Sequence, residues 1–159
     1  MNIQQRNRLI TTAIELVTHT DHDNTIHINY KVYKFDMELF SADYKGDEID
    51  RPCSIETCGT SCCIVGLGAV MYPHLIEIRT SWGSVSQLLY GITSAVDDDL
   101  ESDVNTWDFL FSWKNPSDVI DAASRIIHIL EGGRPLMDYY PEERDGVKLV
   151  SKLTSMLVP

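Results

Sequence analysis

The chain has 159 residues, 24 of them Asp or Glu and 13 Lys or Arg, for a formal net charge of −11 with 43% hydrophobic residues. The apolar share excludes a disordered acidic chain, and the sign of the charge excludes a general nucleic-acid binder or a module that docks on anionic membranes. The length predicts a single domain over 1–159 with a core of its own.

The first residues are not followed by an apolar h-region, so no secretory signal is expected. The longest apolar stretch, Cys62 to Tyr72, falls short of the ~20 residues a spanning helix needs. Asn2 excludes myristoylation. A cytoplasmic protein is expected, with its cysteines as thiols or metal ligands rather than disulfides.

Residues 3–18 carry Ile3, Leu9, Ile10, Ala13, Ile14 and Val17 at helical spacing. A polar turn over Thr18–Asn24 leads into residues 25–35, where Ile26, Ile28, Tyr30 and Val32 alternate with His27, Asn29 and Lys31, the pattern of one strand. Phe35 to Phe40 adds an apolar patch, and Asp43–Asp50 an acidic loop. Residues 59–72 read as a buried helix capped by Thr60 or Ser61 and stopped by Pro73. Leu75–Thr80 alternates and is expected to pair with the first strand. Ser84 caps a short helix over Val85–Tyr90 that Gly91 closes. Trp107 to Trp113 forms a short aromatic helix. Asn115-Pro116 opens an amphipathic helix that Gly132-Gly133 stops. A last helix starts near Pro141, with Val147, Val150, Leu153 and Leu157 on one face. The predicted fold is mainly α (α+β): a compact helical domain with a small two-stranded β element.

Cys53, Cys58, Cys62 and Cys63 lie within eleven residues. One reading is structural zinc, with Cys53, Cys58, Cys63 and His74 as ligands, although two separated C-x-x-C pairs are lacking. A second is a thiol enzyme using Cys58, Cys62 or Cys63, since a cysteine at a helix N-terminus gains thiolate character. The third is that Cys62 or Cys63 is a small core residue. Adjacent cysteines on a helix diverge, which weighs against both ligating one ion.

Cys58-Gly59-Thr60-Ser61-Cys62-Cys63-Ile64-Val65-Gly66 fits the pattern C-G-T-x-x-C-x-x-G. Phe35-Asp36-Met37 precedes it, and Leu89-Tyr90-Gly91-Ile92, Leu110-Phe111-Ser112-Trp113 and Ala122-Ala123-Ser124-Arg125-Ile126 follow, with a glycine stop at Gly132. This arrangement, covering about residues 35–133, resembles a group of uncharacterised small proteins of phages and mobile elements. The resemblance implies a genetic setting, a phage-type accessory protein in the host cytoplasm, and no reaction.

Asp97, Asp99, Glu101 and Asp103 alternate like early calcium ligands, but the sixth and twelfth positions hold Ser102 and Asp108 instead of Gly and Glu. A solvated acidic loop is the better reading. His19, His22 and His27 with Asp21 and Asp23 are likewise read as a solvated turn. Residues 61–115 hold seven acidic residues and only Arg79 and Lys114 as basic ones, and five of the seven lie between Asp97 and Asp103. The expected function is therefore a non-enzymatic acidic accessory protein that binds a host protein with a basic surface, a defence or nucleic-acid-handling factor, without touching nucleic acid or membrane itself. Its expected contact residues are Asp97, Asp98, Asp99, Glu101 and Asp103, with Trp107 as an aromatic anchor. No cofactor is expected under this reading.

Overall fold

The computed structural model of the protein describes residues 1–28, 31–35, 61–76, 82–93, 105–111, 118–136 and 138–159. Helix α1 (Ile3–His19) is the element on which the other helices converge. Asn2 starts it through a capping box: its side chain accepts from the Gln5 N–H at 2.9 Å, and the Gln5 side chain accepts from the Asn2 N–H at 2.9 Å. Leu9, Ile10, Ala13 and Leu16 are wholly buried. Each such Leu or Ile stabilises the fold by roughly 1.5–3 kcal/mol.

The turn after α1 is organised by Asp21, whose carboxylate accepts from the backbone N–H groups of Asp23 and Thr25, both at 2.9 Å. The Thr25 bond is the main cause holding this carboxyl below its ordinary pKa. Asn24 takes the left-handed conformation (φ 58°) that closes the turn.

The alternation over 25–35 is a hairpin and not one strand. β1 (Thr25–Ile28) pairs antiparallel with β2 (Lys31–Phe35), with Ile28 opposite Lys31 and Thr25 opposite Lys34. The connecting residues 29–30 lie outside the described residues. A two-residue connection interrupts the alternation too briefly to be seen in sequence. β3 (Ser61–Cys62) joins β2 in parallel, pairing Phe35 with Cys62.

Helix α2 (Ile64–Met71) thus begins later than the composition suggested, and Cys63, not Thr60 or Ser61, occupies its N-cap. The apolar run from Cys62 is shared between a strand and a helix, which periodicity cannot separate in so short a segment. Pro73–Leu75 forms a single 3-10 turn, so the expected strand over 75–80 does not start there, and residues 77–80 lie outside the described residues. Helix α3 (Trp82–Tyr90) begins before Ser84 and closes at Gly91, whose φ of 69° favours glycine.

Helix α4 (Thr106–Phe111) buries Trp107, Phe109, Leu110 and Phe111. Helix α5 (Val119–Leu130) is capped by Asp118, not Asn115. The Asp118 carboxylate accepts from the N–H groups of Ile120 and Asp121 at 2.8 and 3.2 Å. Helix α6 (Gly146–Ser155) starts five residues beyond Pro141, capped by Asp145. It runs antiparallel to α1: Gly146 lies against Val17 at one end, and the Arg6 guanidinium donates to the Met156 carbonyl at the other. The protein is mainly helical with a small β element. No described helix is long and apolar enough to cross a membrane.

Residues 5–8 of α1 have a further role. Gln5 donates to the Gln87 carbonyl at 3.0 Å, and Arg8 to the Leu88 carbonyl at 3.4 Å, both in the last turn of α3. Arg6 and Asn7 donate to the carbonyls of Met156 and Val158, at and beyond the end of α6. The last turns of a helix leave carbonyls without helical partners and carry the negative end of its dipole. The start of α1 therefore ties the ends of two other helices to itself through their carbonyls, the Gln87 carbonyl also accepting from the Gly91 N–H.

Candidate functional site

The acidic charge is unevenly placed. Residues 36–60 hold seven acidic and two basic residues, and residues 94–104 hold five acidic and none basic. The remaining residues carry twelve acidic and eleven basic ones, so they are close to neutral. Both segments, with Asp43–Asp50 and the candidate contacts Asp97, Asp98, Asp99, Glu101 and Asp103, lie outside the described residues. The residues flanking each segment in the chain are described.

The first segment is closed at its base by the β2–β3 pair, since Phe35 and Cys62 are cross-strand partners and Phe35 is buried. Ile92 and Trp107, on either side of the second segment in the chain, are both buried. Tyr90 joins α1, α2 and α4. Its hydroxyl lies 3.1 Å from the Ile64 carbonyl and 3.1 Å from Thr12 Oγ1, and its ring centroid is 6.1 Å from that of Phe111. Thr12 donates to the Arg8 carbonyl at 2.8 Å, and the single Tyr90 hydroxyl proton is shared between the Thr12 oxygen and the Ile64 carbonyl. Tyr90 is wholly buried, and Gly68 allows it to be: a Cβ there would sit 2.8 Å from Tyr90 Cζ.

Trp107 is core rather than an exposed anchor. It is 9% exposed and packs edge-on against Phe111, with ring centroids 5.0 Å apart. Its helical spacing places it with Leu110 and Phe111 on the buried side of α4.

Behind α4 stands a buried ion pair. Arg125 Nε donates to Asp121 Oδ2 at 2.6 Å, and both side chains are less than 10% exposed. Arg125 Nη1 donates to the Phe109 carbonyl at 3.3 Å, and the guanidinium lies 4.9 Å from the Phe109 ring centroid and 5.3 Å from that of Tyr139. Such cation–π contacts strengthen when desolvated. The Tyr139 hydroxyl donates to the Ser124 carbonyl at 3.1 Å, and burial raises its pKa. The His128 ring packs on both Phe109 and Tyr139. Its Nε2 is 2.8 Å from the Arg134 carbonyl, so that nitrogen carries the proton. The chemistry of this cluster is cohesion: it ties α4, α5 and residues 134–139 together. Asp121 and Arg125 stand four apart on one helix, a spacing visible in sequence, but only as a surface pair.

Of the four candidate zinc ligands, two are described: Cys63 is 4% exposed at the start of α2, and His74 is exposed beyond its end. The eight residues of α2 between them span about 12 Å along the helix axis. Cys53 and Cys58 lie outside the described residues. Among the described residues no three His, Cys, Asp or Glu side chains gather as a metal site. His19 instead faces Glu15 at 3.2 Å and His27 faces Asp21 at 3.5 Å, on exposed surface.

Cys63 meets the positional requirement for an activated thiol but not the electrostatic one. Burial pushes its thiol pKa up, and the N–H groups of Gly66 and Val65 oppose this only in part. Native protein at neutral pH should therefore leave Cys63 unmodified by iodoacetamide, with peptide mass spectrometry showing its alkylation only after unfolding. Alkylation of Cys63 in the native state at the rate of a free thiol would restore it as a nucleophile. Because the folded thiol holds its proton more tightly, its contribution to stability is complete below the unfolded value of about 8.5 and erodes as pH rises towards the folded value.

Comparison with known proteins gives no match to any family model, curated protein or solved structure.

Proposed function

We propose that the protein is a non-enzymatic acidic accessory factor of phage type that binds and modulates a host protein in the host cytoplasm. The partner presents a basic surface, as defence and nucleic-acid-handling proteins do around their substrate grooves. One observation carries this reading: nearly all the net charge belongs to two segments of an otherwise almost neutral chain. Clustered like charge steers a basic partner over distances of about a Debye length, roughly 8 Å at physiological salt.

The test is capture of a basic host protein on immobilised protein at low and high salt. Wild type should retain a partner at low salt and lose it at high salt. The triple variant Asp97→Lys, Asp98→Lys, Asp99→Lys should lose it at both, with unchanged melting. Undiminished capture by the folded triple variant removes these residues from the interface, and with them this reading.

A further inference from the structure

We draw no further inference here: the strongest candidate, the surface segment between α5 and α6 on which Tyr140 stands 81% exposed with Asp138 and Glu142 on either side of it in the chain, carries nothing because nothing in the structure shows what covers it.

Discussion

Asp121→Ala should lower the unfolding free energy by about 3–5 kcal/mol, the usual result of leaving one member of a buried ion pair without its partner. Arg125 is 6% exposed, and its remaining described polar contact is the Phe109 carbonyl at 3.3 Å. Deleting the carboxylate leaves a desolvated positive charge among Phe109, Tyr139 and the body of α5, and the two aromatic rings offset only part of it. Arg125→Met strands Asp121 in the same way and should cost a similar amount. The double variant Asp121→Leu, Arg125→Met removes both charges while keeping the volume, and it should recover most of the loss, because well-packed apolar replacements of buried pairs are often neutral or stabilising. Urea unfolding of wild type, Asp121→Leu, Arg125→Met and the double variant closes the double-mutant cycle. For a chain of this size, each kcal/mol corresponds to about 2–4 °C in Tm, so the single variants should melt about 10 °C lower. Single variants within 1 °C of wild type would mean that the pair is not buried in solution.

The same pair marks where sequence reading stops. The helical spacing of Leu9, Ile10 and Ala13, and of Ala122, Ala123, Ile126 and Ile127, identifies α1 and α5 because one apolar face meets the core in each. Asp121 and Arg125 lie within that buried span, yet their residue types announce a solvent face. Only the positions of Phe109 and Tyr139, distant in sequence, show why the charges are tolerated. Helix starts were displaced for a related reason. Asn115, Asp118, Pro141 and Asp145 are all competent starters, and packing decides which becomes the cap. Cys62 and Cys63 are adjacent, but one ends a strand and the other caps a helix, because Cys62 pairs with Phe35, twenty-seven residues earlier. The candidate site was legible as charge alone. Clustering of Asp97–Asp103 is visible in the sequence, whereas the role of Tyr90 in joining α1, α2 and α4 depends on tertiary contacts with Thr12, Ile64 and Phe111.

That joining role leads to the second large effect. Gly68→Ala should destabilise the protein by about 2 kcal/mol although alanine is the better helix former. In an exposed helix the change would gain up to about 1 kcal/mol. Here the new methyl would overlap the Tyr90 hydroxyl and lie 2.8 Å from Cζ and 3.0 Å from Leu89 Cδ1. Tyr90 has no room to retreat: it has no exposed surface and is bonded to Thr12 and Ile64. Overpacking at such a site costs typically about 1–3 kcal/mol, and a wholly enclosed ring belongs at the upper end, which leaves the net loss. Tyr90→Phe removes the hydroxyl contact and alone should cost about 1 kcal/mol for the lost hydrogen bond. In the Gly68→Ala background it should cost less or even restore stability, because it relieves the nearest overlap. The coupling is read from urea midpoints of wild type, both single variants and the double. Additive losses would place Tyr90 away from Gly68. A favourable coupling of about 1 kcal/mol or more would fix the ring over that glycine.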